Sequence, residues 1–160
     1  MENNFSLATQ ENTAEVMPAP VYMDDDTNYI VDLTERTTSY CSMVAETQEQ
    51  KAVLYNAMNA PEKRLKECVN LEINIKDVFV EVVNCTNKNT GLIEKCPRTV
   101  IIDDKGVGYQ AVSLGVFSAL KKLFAVYGEP VQWEKPLRVK VKQISKSADK
   151  NILTLEVVAK

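Results

Sequence analysis

The strongest structural signals in the chain lie in residues 98–130, RTVIIDDKGVGYQAVSLGVFSALKKLFAVYGEP. The first part of this stretch predicts a strand over residues 98–102, a tight turn with the sequence DDKG and a second strand over residues 107–112. Gly106 suits the end of that turn, because glycine adopts positive φ without a steric cost. Gly108 indicates a bulge or a close approach by another chain within the second strand. Together these signals predict a β-hairpin.

The second part of the stretch predicts a helix over residues 114–127. Ser113 provides the N-cap, Gly128 ends the helix and Pro130 blocks its extension. Apolar residues recur at helical spacing and predict a buried face. The residues of this predicted core-facing stripe are Phe117, Leu120, Phe124 and Tyr127, with Val116 and Leu123 beside them.

Three further strands flank the hairpin and the helix. A long strand over residues 71–83 changes its apolar phase at Lys76-Asp77, which indicates a bulge or a sharp bend. Two strands follow the helix, at residues 137–144 and 152–158. Five strands with a helix between the third and fourth are the element order of the oligonucleotide/oligosaccharide-binding (OB) barrel. The sequence therefore predicts a mainly β fold, with a five-stranded OB-fold-like barrel over residues 70–160.

Two regions precede the predicted barrel. Residues 1–35 are predicted to be an acidic and largely disordered arm, because they are polar and have little apolar periodicity. Residues 36–69 are predicted to be a helical extension. Within it, Thr47 and Gln50 fit the capping box of a first helix, and Pro61 suits the first position of a second, short helix.

Charge is unevenly distributed along the chain. The whole sequence has a net charge of −3, but residues 1–35 hold eight acids and no base, which leaves 14 acids and 19 bases in the remainder. A basic body can neutralise phosphates, whereas a merely solvated tail would explain the arm equally well. No apolar run is long enough to span a membrane, and the first residues lack the pattern of a signal peptide. A cytoplasmic protein is therefore expected.

The four cysteines do not have the spacing of a metal site. Cys41, Cys68, Cys85 and Cys96 form no C-x-x-C pair, and the chain has no histidine, so we expect neither a bound metal nor another cofactor. In a cytosolic protein these residues are expected to be reduced. Cys85 and Cys96 flank a predicted hairpin and could face each other across it. The acidic residues are scattered, so we do not expect an enzyme.

A basic strand face is the sharpest candidate for binding. Arg138, Lys140 and Lys142 share one face of their strand, with roughly 7 Å between successive side chains. This spacing is suited to phosphates along a single strand of nucleic acid, although exposed lysines also protect strand edges from aggregation. Arg98 and Lys105 lie on or beside the second strand, near the surface that OB barrels use for binding.

A protein that binds single-stranded nucleic acid needs aromatic side chains as well as cations, because bases stack on aromatic rings. The candidates are Phe79, Tyr109 and Trp133. Burial in the core is the alternative for each ring, and Trp133, in a connector between two prolines, could instead cover one end of the barrel.

The chain resembles the single-stranded DNA-binding proteins of phages and mobile elements of Gram-positive bacteria. The resemblance covers about residues 50–158 and rests on the hairpin DDKG, the helix FSALKKLF and the hairpin VKVKQISKSADKNILTLEV. It implies sequence-independent binding of single-stranded DNA in the cytoplasm of a bacterial host. The protein would then coat and protect exposed strands during phage or plasmid replication and recombination.

The acidic arm also suggests a protein partner. Single-stranded DNA-binding proteins of bacteria recruit replication enzymes through an acidic, apolar-tipped tail, and the segment MDDDTNYIVDL has that composition. Its candidate docking residues are Asp24, Asp25, Asp26, Tyr29 and Ile30. The segment could form a short edge strand, bind replication or recombination proteins, or fold back over the basic face. An accessory module that binds a host protein and no nucleic acid is the alternative function, and a homo-oligomer is compatible with the sequence.

Overall fold

The computed structural model describes residues 39–147 and 150–159 of the chain. The predicted acidic arm and its five candidate docking residues lie outside these ranges. The described part consists of seven strands, two α-helices and two 3₁₀ turns. The elements are β1 (Ser39–Cys41), α1 (Gln48–Asn59), β2 (Lys63–Arg64), a turn (Leu65–Glu67), β3 (Glu72–Thr86), β4 (Ile93–Asp103), β5 (Gly108–Ala111), α2 (Leu114–Tyr127), a turn (Pro130–Gln132), β6 (Leu137–Ser147) and β7 (Lys150–Val157).

The seven strands form one sheet, so the fold is mainly β as predicted. Their order is β2-β5-β4-β3-β6-β7, and β1 pairs with β3. β3 pairs with β4 along most of its length, while its other edge pairs first with β6 and then with β1. The β3–β4 register shifts between Ile75 and Asp77, which confirms the predicted irregularity. A bulge there bends the strand, so that β3 can serve two parts of the sheet.

The inner face of the sheet and α2 enclose the main core. α2 begins and ends as predicted: Ser113 Oγ accepts a hydrogen bond from Val116 N at 3.2 Å, and Gly128 has φ of 80°. Five residues of this helix are buried against the sheet. Tyr127 is the exception to the predicted stripe, because it lies in the last turn and remains 45 % exposed.

α1 packs against the outer face of the sheet. Its predicted capping box is present, with Thr47 Oγ1 accepting from Gln50 N at 3.1 Å. The apolar side of the helix covers a second cluster on β3 and β4, composed of Phe79, Val100 and Ile102. A Cβ added to Gly108 would lie 3.1 Å from that of Ala57. The close approach that Gly108 predicted is therefore made by α1 of the same chain.

The prediction of a second, short helix that begins at Pro61 is wrong. Pro61 is followed instead by β2, which pairs in parallel with β5, and by the turn Leu65–Glu67. A two-residue strand has no periodicity, so its pairing could not be recognised from sequence. Leu65 and Cys68 nevertheless enter the main core.

The expectation that all four cysteines are reduced is also wrong. Cys85 and Cys96 form a disulfide across the β3–β4 hairpin, whereas Cys41 and Cys68 are free. The register pairs Val83 with Cys96 and Cys85 with Glu94. Both cysteine side chains therefore lie on one face of the hairpin, diagonally opposite each other, so their sulfur atoms can bond.

Thr99 provides a test of the packing of β4. Its side chain is fully buried, and its Oγ1 has no hydrogen-bond partner among the described residues. We expect Thr99→Val to raise the free energy of unfolding by about 1 kcal/mol, because a desolvated hydroxyl is replaced by a methyl group of similar size. Urea unfolding of the two proteins measures this change. A less stable variant would show that the hydroxyl is hydrogen-bonded.

Candidate nucleic-acid interface

The three cations of the predicted basic strand face lie together on the outer face of β6. We call Arg138, Lys140 and Lys142 the basic row. Val139 and Val141, which alternate with them, are fully buried. The two phases of this strand therefore separate as the sequence predicted, with one in the core and one facing outward.

The neighbouring strands bring carboxylates to the basic row. Lys140 lies between Glu72 on β3 and Glu156 on β7 in the sheet register. Arg138 Nη1 is 3.3 Å from Glu72 Oε1, and Lys142 Nζ is 3.6 Å from Glu156 Oε1. The side chains of both pairs are exposed to solvent, and such pairs contribute little stability. Sequence reasoning missed these acids because their position depends on the strand register.

The β4–β5 turn extends this outer surface. Asn74 on β3 pairs with Arg138 on β6, and its Nδ2 donates to Asp104 Oδ2 at 3.3 Å. The exposed Lys105 follows Asp104 in the turn. Asp104, the neighbour of Lys105, is thus linked through Asn74 to the strand pair that carries the basic row.

Asp103 holds the turn together. Its Oδ1 accepts hydrogen bonds from the backbone N–H groups of Lys105 and Val107, both at 2.9 Å. Its Oδ2 accepts the hydroxyl proton of Tyr109, also at 2.9 Å. Burial and the Asp103 carboxylate raise the pKa of Tyr109 above its usual value. Tyr109 therefore stays neutral and fixes the turn that carries Lys105.

Arg98 lies on the outer face but is occupied by contacts within the protein. Its guanidinium donates to Glu81 Oε2 at 2.8 Å, to Gln110 Oε1 at 3.1 Å and to the carbonyl oxygen of Met58 at 2.9 Å. The side chain is only 14 % exposed. Arg98 therefore links the last turn of α1 to β3 and β5. Its predicted phosphate contact stays a prediction.

We expect Arg98→Met to lower the free energy of unfolding by about 2–3 kcal/mol, because three acceptors lose a charged donor. Arg138→Met is the matched control: it removes an exposed Arg–Glu pair and should cost less than about 1 kcal/mol. Urea unfolding distinguishes the two. Wild-type stability of the Arg98 variant together with weaker DNA binding would instead favour the phosphate role.

The aromatic candidates are packed within the fold. The ring of Phe79 is 3 % exposed beneath α1, and that of Tyr109 is 8 % exposed in the main core. Trp133 is partly buried: its Nε1 donates to the Gly128 carbonyl at 2.9 Å, and its ring meets Phe124 edge-on. Base stacking by these three rings stays a prediction. Sequence reasoning did not consider Tyr55, which is 64 % exposed on α1 and lies off the apolar stripe of that helix.

The described part of the chain contains no group of three or more histidine, cysteine or acidic residues arranged to hold a metal ion. Neither of its helices has the length and apolar character needed to cross a membrane. The described surface includes cationic side chains and two long hairpins on a curled sheet.

Comparison with known proteins identifies the family. The family model described as phage single-stranded DNA-binding protein matches residues 34–158, which is most of the chain. No curated protein and no solved structure gives a significant match. The matched range includes β1, α1, the complete sheet and α2. The chain therefore belongs to the phage single-stranded DNA-binding protein family.

Proposed function

We propose that this protein binds single-stranded DNA without sequence preference and coats it during phage or plasmid replication and recombination in the bacterial host cytoplasm. Membership of the family supports the choice of ligand. The observation that carries the proposed binding surface is the basic row on β6, continued by Lys105. Its cations alternate with buried valines, so all three are directed to the same outer surface.

We further propose that the sheet is an OB-like half barrel. In this assignment β3, β4, β5, β6 and β7 are its five strands, α2 lies between the third and fourth, and residues 36–69 are an extension of residues 70–160. The pairing of β3 with both β4 and β6, of β4 with β5 and of β6 with β7 supports the assignment. β1 and β2 would then be strands that the extension adds to the sheet.

The position of α1 suggests where the DNA lies. OB barrels bind oligonucleotides on the face of their second and third strands and with the adjoining loops. Here α1 covers that face at Val100 and Ile102 on β4 and at Gly108 on β5. We propose that the strand passes beside α1, over Lys105 and the basic row, so that backbone phosphates meet these four cations.

Base stacking is the second part of this proposal. Trp133 is the only tryptophan, so its fluorescence reports directly on its own environment. If Trp133 stacks on a base, single-stranded DNA will quench that fluorescence strongly. Stacking by Phe79 or Tyr109 would require α1 or the core to open. The exposed Tyr55 needs no such change and is a further candidate.

The acidic arm is proposed to dock on a replication or recombination protein through Asp24, Asp25, Asp26, Tyr29 and Ile30. Its composition supports this role, because acidic residues and apolar side chains alternate over a short segment. Capture of a purified replication protein by the full chain, and loss of capture when Tyr29 and Ile30 are changed to serine, would support the assignment. Equal capture by both proteins would contradict it.

Titration of a fluorescent thymidine oligonucleotide of about 30 bases, at several salt concentrations and beside a duplex of the same length, tests the proposed function. We expect tight, salt-sensitive binding of the single strand and weak binding of the duplex. Absence of binding at low salt would contradict the proposal and would favour a protein-interaction module. Binding of both forms with equal affinity would contradict single-strand selectivity.

A further inference from the structure

An open apolar groove lies between α2 and β7, on a part of the surface that the proposed DNA path does not use. Its volume is about 800 Å³. Leu114 and Val126, which lie in the first and last turns of α2, are 68 % and 76 % exposed. Exposed apolar surface of this kind usually marks an interaction site. Its apolar lining is mainly aliphatic and includes Leu114, Ala119, Leu123, Val126, Ile152 and Leu155.

The charged residues that line this groove all have the same sign. They are Lys122 on α2, Lys146 on β6 and Lys150 on β7, and no carboxylate is among the lining residues. None of the three lysines forms an ion pair with another described residue. The groove therefore suits a ligand that has aliphatic side chains and several negative charges.

We propose that residues 21–33 of the same chain, VYMDDDTNYIVDL, occupy this groove while no replication or recombination protein holds them. The segment has Ile30, Val31 and Leu33 for the aliphatic lining and four aspartates for the three lysines. Because the segment is tethered to the domain, its effective concentration at the groove reaches the millimolar range, so modest contacts suffice. Neither the groove nor the segment contributes to the proposed DNA path, so this inference does not depend on DNA binding.

The attachment point of the segment lies close to one end of the groove. The described chain begins at Ser39 in β1, and the ring centroid of the next residue, Tyr40, is 5.8 Å from that of Phe124 on α2. The Tyr40 hydroxyl also donates to Glu129 Oε1 at 2.8 Å, just beyond the end of that helix. The six residues from Leu33 to Ser39 can span roughly 20 Å, and Val126 follows Phe124 by two residues in the last turn of α2.

Single-stranded DNA also combines negative charges with apolar surface, so it is the alternative occupant of the groove. Proteins that bind it present aromatic rings on which bases stack. Only one residue lining the groove, Tyr127, is aromatic. An aliphatic groove packs better against aliphatic side chains, so the acidic segment is the better match.

Photo-crosslinking in the full chain, without DNA, tests this assignment. We would replace Tyr29 with p-benzoylphenylalanine, irradiate the protein and map the crosslinked peptides by mass spectrometry. We expect crosslinks within one chain to residues 114–127 or 150–157, with a yield that does not change on dilution. Crosslinks between chains would identify a second copy as the donor of the segment. Crosslinks to the basic row would show a segment that mimics DNA, and either result would overturn the proposal.

Two exposed valines provide a matched pair of variants for this experiment. Val126→Asp places a carboxylate inside the groove, and we expect it to lower the crosslink yield on the order of tenfold. Val131 is equally exposed, at 74 %, but does not line the groove. Val131→Asp should therefore leave the yield unchanged, and an equal yield from both variants would overturn the proposal. The oligonucleotide titration of the wild-type protein shows separately whether the proposed function holds.

Discussion

Neutralising the basic row by Arg138→Gln, Lys140→Gln and Lys142→Gln together is expected to weaken binding of single-stranded DNA on the order of a hundredfold at low salt. The slope of log K against log salt should also decrease by about 2, because each lost phosphate contact removes about 0.7 from the slope for a single strand. Fluorescence titration at several salt concentrations measures both quantities. Glutamine is chosen because glutamates would add repulsion against Glu72 and Glu156 and could destabilise the sheet.

A control variant separates local phosphate contacts from net charge. Lys51→Gln, Lys66→Gln and Lys135→Gln together remove the same charge from exposed positions on α1, on the turn after β2 and on the connector before β6. This triple variant should retain most of the affinity and nearly the wild-type slope. If the two triple variants lose affinity and slope equally, the protein attracts DNA through its overall charge, and the basic row is not the binding surface.

Gly115→Ala is expected to lower the free energy of unfolding by about 3 kcal/mol, although alanine is the better helix former. A Cβ on Gly115 would overlap the carbonyl oxygen of Leu153 and lie 2.6 Å from Cγ2 of Ile152. Because a backbone carbonyl cannot rotate away as a side chain can, α2 and β7 would have to separate. Urea unfolding monitored by Trp133 fluorescence and by circular dichroism measures the loss.

Ala125 provides the reference for this substitution in the same helix. Its side chain is exposed, so Ala125→Gly should cost only the ordinary propensity difference of about 1 kcal/mol. The two variants change the same atoms in opposite directions, yet both are expected to destabilise the protein. A Gly115→Ala variant as stable as the wild type would mean that α2 is not in close contact with β7.

Local signals predicted the separate elements well. The caps at Ser113 and Gly128 gave both ends of α2, and the capping box at Thr47 gave the start of α1. Each cap is satisfied by backbone groups a few residues away, so its signal is contained in a short window of sequence. The irregularity near Lys76 was predictable for the same reason, because a change in apolar phase is visible along one strand.

Features that depend on distant pairing could not be predicted. The sequence predicted β4 from residue 98, but the ladder with β3 continues through the polar residues back to Ile93. The same register brings Cys85 to Cys96. The separate register of β3 against β6 brings Glu72 to the basic row. Phe79 alternates with buried valines and so could be assigned to the outer face, yet nothing in its strand indicated that α1 would cover it. For the candidate site, the outward position of the basic row was therefore predictable, whereas its carboxylate partners and the burial of the aromatic rings were not.

The position of β4 between two layers has a consequence for exchange with solvent. All five residues from Thr99 to Asp103 are buried, with the main core on one side and α1 on the other. Their amide hydrogens can reach deuterated water only when the whole domain opens, so their exchange rates will report the global free energy of unfolding. The exposed distal part of the β3–β4 hairpin will exchange earlier, through local fraying. One native-state hydrogen-exchange experiment can thus separate the stability of the domain from local opening of the distal β3–β4 hairpin.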